Sequence, residues 1–242
     1  MLLKITNFCR MECKHCCEES NRHGKHMTGK VFQDTIKFIN RLEYQPKSLL
    51  ISGGEPTDHP LFFQMMMQLK EKYKGHMMIT SNGMFLEDKE LTKQILELDI
   101  YVQITNDVRY YPKRIKRVEH KNFIYVDKLM MLAPFGRALS NNLKCDRISP
   151  YCFNARSVHS QVENFSSMLG IMELQLHKFC EPMIDVSGSI ALGEMGLCYK
   201  IGNIYDDEKT LSENIKNMKC NKCKLYDNMS VIHKNVVGET YE

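Results

Sequence analysis

Residues 2–20 read LLKITNFCRMECKHCCEES, a short apolar run followed by a loop that carries four cysteines. The run at 2–6 is a strand candidate by composition. Cys9, Cys13 and Cys16 follow in a Cys-x3-Cys-x2-Cys array, with Cys17 outside that spacing. Sulfurs placed so close could form a disulfide, bind zinc, or hold a metal cluster that does chemistry.

The totals bear on the first reading. The chain has 242 residues, 43% hydrophobic and 26% charged, with a net charge of +4. That is enough for one sizeable core, or for a core plus a small appended module. A slight excess of base does not argue for a nucleic-acid partner, because a footprint also needs clustering. No secretory signal or run of membrane-spanning length is visible, so a cytoplasmic protein with no membrane partner is expected. In a reducing compartment the ten cysteines point to metal or redox chemistry and away from a disulfide framework. The seventeen methionines read as core filler: in FFQMMMQLK, Phe62, Met65, Met66 and Leu69 share one helical face.

Outward from the first strand, short apolar runs alternate with amphipathic stretches. KVFQDTIKFINRL places Val31, Phe32, Thr35, Ile36, Ile39 and Leu42 at helical spacing. SLLISGGEP predicts a second strand, with a helix from Leu61 to about Tyr73 after it. HMMITSNG predicts a third strand, followed by a helix marked by Leu91, Ile95 and Leu98. DIYVQITND supplies a fourth, and NFIYVD and LMMLAP two more. Continuous apolar strands between helices describe an α/β sheet or partial barrel. Residues 108–121 are too few for a long helix, so the fourth crossover is expected to be abbreviated.

From Arg137 to Lys178 the sequence is polar and weakly periodic. PMIDVSGSIAL then reads as a β-hairpin around Ser-Gly-Ser, and TLSENIKNM as a helix opened by a capping box from Thr210 to Glu213. The expected division is a core at 1–138 and a small module at 139–242.

A structural zinc site usually wants four closed ligands in two separated pairs, whereas three thiolates on one tight loop suit a cubane of four irons with one corner open. The array, with the aromatic His15 before the third cysteine, resembles the radical S-adenosylmethionine (SAM) enzymes. The resemblance extends to GGEP at 53–56, TSNG at 80–83 and TND at 105–107, all at carboxyl ends of predicted parallel strands, where α/β folds bind ligands. It implies a partial (β/α)6-type barrel, a 4Fe–4S cluster on Cys9, Cys13 and Cys16, and SAM as cofactor. It further implies His15, Gly53, Gly54, Glu55, Thr80, Ser81, Asn82 and Thr105 as cofactor-binding residues. Gly53 and Gly54 would allow close backbone approach. Glu55 would accept from the methionine ammonium. Thr80, Ser81, Asn82 and Thr105 would bond the ribose and carboxylate.

A second set of sulfurs, Cys180, Cys198, Cys220 and Cys223, has Gly193 five positions before Cys198 and closes on CNKC. It resembles the twitch module, a shortened relative of the SPASM extension, and implies one auxiliary 4Fe–4S cluster. By itself the pattern also suits a four-cysteine zinc ribbon. PFGRA at 134–138 resembles the segment that closes the barrel and leads into that module. Cys17 reads as a packing or spectator thiol. Cys145 and Cys152 fall in no ligand pattern, and one of them is a candidate hydrogen-atom donor to a substrate radical. The basic run PKRIKRVEHK at 112–121 reads as a solvated face.

The implied reaction is reductive cleavage of SAM to methionine and a 5′-deoxyadenosyl radical, which takes hydrogen from a substrate carbon. Modification of a ribosomally made peptide, by crosslinking or epimerisation, is the expected use. Oxidation or rearrangement of a small metabolite is the alternative, and a non-catalytic metal- or RNA-binding module the third class. Expected partners are that substrate, an electron donor such as flavodoxin or ferredoxin, and a separate peptide-recognition protein.

Overall fold

The structure is a computed structural model, and it describes residues 1–112, 114–129, 132, 135–144, 165–167, 169, 181–192 and 199–217. The first half alternates strand and helix as the periodicity predicts. In order it runs β1 (Leu2–Thr6), α1 (Gly29–Arg41), β2 (Ser48–Gly53), α2 (Phe62–Lys72), β3 (His76–Ser81), α3 (Lys89–Glu97), β4 (Tyr101–Thr105) and β5 (Phe123–Val126). Neighbours from β1 to β5 pair parallel. Between β4 and β5 the described residues form turns and extended chain with no helix, so the fourth crossover is abbreviated.

Strand alternation explains the layering. Leu3, Ile5, Leu49, Ile51, Ile79, Val102 and Ile104 share one core with Phe32, Ile36, Phe62 and Met66 of the helices. Each such fully buried side chain contributes about 1.5–3 kcal/mol. Phe38 of α1 lies off the face predicted for that helix, yet it is buried, with its ring centroid 5.9 Å from that of Phe165. Thr28 caps α1 by accepting from Val31 N at 3.2 Å.

The later part adds α4 (Gly136–Ser140), β6 (Met183–Ile184), β7 (Ser189–Leu192), β8 (Tyr199–Asn203) and α5 (Glu208–Lys216). The expected hairpin is β6–β7, with Gly188 at φ +81° in its turn. β8, which the sequence reading missed, pairs antiparallel with β7. β6 joins β1 in parallel, so one eight-stranded sheet runs β5-β4-β3-β2-β1-β6-β7-β8. Arg41 at the end of α1 ties the two parts, with Nη2 donating to Ile204 O at 2.8 Å and Asp206 O at 2.6 Å.

Two expectations change. α5 is capped not by Thr210 but by Asp207, whose carboxylate accepts from Thr210 N at 2.7 Å and places a charge at the helix start. Of the strand expected at LMMLAP, Leu129 and Leu132 lie outside any strand, and the other four residues lie outside the described residues. Among the described residues no helix is long and apolar enough to cross a membrane.

Candidate functional site

The loop between β1 and α1 has little regular structure of its own. Isolated bridges join Thr6 to His26 and Phe8 to Asn21, and Glu12 and Glu19 adopt positive φ. Side chains from elsewhere hold it. Arg10 pairs with Asp58 at 2.5 Å, Lys4 with Glu18 at 2.6 Å, and Asn141 donates to Lys14 O at 2.9 Å. Asn82 Nδ2 lies 3.7 Å from Cys9 Sγ.

This arrangement brings Cys9, Cys13 and Cys16 to one cavity of about 360 Å³ at the carboxyl ends of β1–β4. His15, Gly53, Gly54, Thr80, Ser81, Asn82 and Thr105 line the same cavity. Sequence positions up to 96 apart, from Cys9 to Thr105, therefore meet as the motifs predict. Cys9 and Cys13 are buried. Burial pushes the Cys9 thiol up and, together with its thiol neighbours, pushes Cys13 up to about 12. Two buried thiols whose ionisation is disfavoured are matched by a cationic centre, which metal coordination supplies. Among the described residues, no three His, Cys, Asp or Glu side chains are arranged to hold a single metal ion.

Glu55 differs from expectation. It is fully buried and does not line the cavity. Its Oε1 accepts from Thr57 N at 3.1 Å, Thr57 Oγ1 at 2.6 Å and Ser81 Oγ at 2.9 Å, and its Oε2 accepts from Asn82 N at 2.7 Å. The carboxylate therefore fastens GGEP to TSNG. Gly53 and Gly54 also gain a second reason. A Cβ on Gly53 would collide with Thr6 O, and one on Gly54 with Phe8 O, so the glycines admit the backbone at the end of β1 and the start of the cysteine loop.

The cavity wall includes residues the motifs did not name. Gln103 and Tyr111 line it, as does Arg137 of the PFGRA segment. Lys4 with Ser52, and Thr80 with Gln103, are register partners on alternating strand positions, so polar side chains recur along the sheet face opposite the apolar core. Alternation around Lys4, Ser52 and Gln103 within apolar strands was the signal available for this. Tyr111 stacks near His15, with ring centroids 5.1 Å apart, and burial pushes its phenol up. Cys17, read as a spectator, lines the cavity too, with its thiol pushed up to about 12 by burial.

Apart from Glu18 Oε1, which meets Lys4, two buried polar atoms in this cavity lack hydrogen-bond partners, His15 Nδ1 and Ser20 Oγ. Orphaned polar groups cost about 1–3 kcal/mol each unless a ligand or water satisfies them. With three thiols and a row of hydroxyl and amide groups, they fit a thiolate-held cluster beside a polar cofactor. The basic run places Arg117 in an ion pair with Asp127 and Lys121 with Asp99 at 3.7 Å, as a solvated face does. Cys145, Cys152, Cys180, Cys198, Cys220 and Cys223 lie outside the described residues.

A family model described as the radical SAM superfamily matches residues 3–129. A "Probable GTP 3′,8-cyclase" of Methanococcus maripaludis is 32% identical over 90 residues, 35% of this chain and 28% of that protein. A "Tungsten-containing aldehyde ferredoxin oxidoreductase cofactor-modifying protein" of Pyrococcus furiosus is 31% identical over 105 residues, 41% of this chain and 28% of that protein. The chain thus matches less than a third of the length of these curated relatives. Among solved structures, BtrN in complex with AdoMet and 2-DOIA superposes with a TM-score of 0.55 at 14% identity, covering 97% of this chain and 85% of that one. Native anSMEcpe with bound AdoMet and Cp18Cys peptide has a TM-score of 0.48 at 16% identity, covering 96% and 82%.

Proposed function

This chain belongs to the radical SAM superfamily, and from that premise we propose that it is a peptide-modifying enzyme whose Cys9, Cys13 and Cys16 hold the SAM-binding 4Fe–4S cluster. The observation that carries the cluster assignment is the convergence of those three thiols on one cavity with Gly53, Gly54, Thr80, Ser81, Asn82 and Thr105. When bound, the cluster and SAM supply one-electron cleavage of the sulfonium and abstraction of hydrogen from a substrate carbon. The chain's own residues orient and enclose. Asn82 bridges from the third strand to Cys9, Glu55 fixes the Ser81–Asn82 turn from behind, and His15 and Tyr111 form an aromatic wall that limits water.

Cys13→Ala is expected to reduce 5′-deoxyadenosine formation to background after anaerobic reconstitution. Normal 5′-deoxyadenosine production by that variant would remove the assignment.

We assign residues 139–242 to an auxiliary-cluster module on Cys180, Cys198, Cys220 and Cys223, supported by the spacing of those cysteines around Gly193. Iron analysis separates the possibilities: about eight irons per chain for two clusters, about four with zinc or nothing at the second site. Cys145 and Cys152 remain the proposed hydrogen donors, checked by mutating each to alanine and comparing products. The site uses a small reductant protein of the flavodoxin or ferredoxin class, and a separate chain recognises the peptide. Cysteine usage supports a cytoplasmic setting.

A second reading is chemistry on a small molecule. The matched N-terminal segment supports it, because its curated relatives are named as a GTP cyclase and a cofactor-modifying protein. Co-expression with short neighbouring reading frames, read by mass spectrometry, decides between the two. Hydrogen loss or uptake of solvent deuterium in a peptide supports the first reading, and unmodified peptides with a consumed metabolite support the second.

A further inference from the structure

Three carbonyl oxygens of the cysteine loop take hydrogen bonds from one residue. Arg137 Nε donates to Cys13 O at 2.9 Å, its Nη2 to Ser20 O at 2.8 Å, and its backbone N–H to Cys16 O at 2.9 Å. Two of those carbonyls belong to the cysteines assigned to the cluster. The preceding residue, Gly136, has φ +51°, and a Cβ there would sit 2.5 Å from Cys17 O, so only glycine lets α4 come this close. Arg137 is half-buried in the cavity wall, beyond the residues 3–129 that match the family model.

A guanidinium suits this place better than an ammonium. Its donors lie in a rigid planar fork, so one group can reach two carbonyls seven residues apart in the loop. A cluster held by three thiolates becomes more negative by one charge on reduction. A fixed cation at its edge stabilises that state more than the oxidised one. We infer that Arg137 is a positioning residue for the primary cluster: it fixes the loop path through Cys13, Cys16 and Ser20, and its charge raises the cluster's reduction potential. The inference rests on the cluster assignment above.

The test compares wild type, Arg137→Gln and Arg137→Lys after anaerobic reconstitution, by iron and sulfide content, thermal melting and a potentiometric titration followed by electron paramagnetic resonance. The glutamine variant should be harder to reduce, by on the order of a tenfold change in the one-electron equilibrium, about 59 mV. The lysine variant should shift in the same direction by less, since the charge stays while the fork is lost. A purely structural role would lower melting and iron content without moving the potential. A glutamine variant at the wild-type potential overturns the inference. If that variant holds no cluster, a lysine variant whose potential falls by the full shift of about 59 mV although the charge is kept overturns it instead. Wild type that takes up no iron–sulfur cluster removes the functional assignment, and this inference with it.

Discussion

The cysteine loop and the C-terminal hairpin are held by opposite means. The hairpin closes itself: Asp185 Oδ1 accepts from Ser187 N at 2.8 Å, Ser187 Oγ at 2.7 Å and Ser189 N at 3.1 Å, and Gly188 supplies the positive φ. Every donor lies within four residues. The loop between β1 and α1 depends on Arg137, Asn141, Asn82, Asp58 and Lys4, all outside it and up to 127 positions away. A turn that satisfies its own polar groups keeps its shape under changes elsewhere. A loop fastened from outside responds to every element that fastens it, and here those elements surround the site.

The largest break in this contrast should come from Lys4→Met. The Lys4–Glu18 pair is 5% and 10% exposed, and removing one partner leaves a buried carboxylate uncompensated. A loss of about 3–5 kcal/mol is expected in urea unfolding, with most of it recovered in the Lys4→Met, Glu18→Leu double variant. An unchanged midpoint for the single variant would make the loop less dependent on its fastenings than the structure implies. Gly54→Ala comes next. The new Cβ must displace Phe8 O, so about 1–3 kcal/mol of overpacking should appear together with lower iron uptake. Wild-type iron uptake despite lost stability would show that the loop moves without harm to the site.

Asp207→Ala, on the self-contained side, should lower the melting temperature by less than Gly54→Ala does, through the lost cap of α5, and leave iron uptake unchanged. The smallest effect belongs to Asp34 on α1, whose carboxyl is held down at about 2 by Lys30 and then Lys37. Because the folded value is depressed from 3.8, its contribution is present above pH 3.8 and lost as pH falls through about 2. Asp34→Asn should flatten that acid limb slightly, and salt should erase the difference. A salt-independent effect would mean that the pair is more than a surface interaction.

Legibility follows the same division. The order and approximate places of β1–β4 and α1–α3 could be read directly, because apolar strand runs alternate with stretches of helical period. The Cys-x3-Cys-x2-Cys spacing and the strand-end motifs converge as read. For Glu55 the motif points to a ligand donor, and only the fold shows that Ser81 and Asn82 donate to its carboxylate. Asp207 was passed over because Thr210 and Glu213 match a capping pattern equally well on paper. β8 went unread because Tyr199–Asn203 is short and contains Gly202, which weakens the strand signal.

The amino-acid order alone established the alternating α/β architecture and the spacing of the thiols, since both depend on short-range periodicity and on residue chemistry. Tertiary structure alone decided which carbonyls Arg137 grips, where Glu55 directs its oxygens, and that β6 extends the sheet beside β1. Such pairings form between segments distant in the chain, and their choice depends on distances that no local pattern encodes.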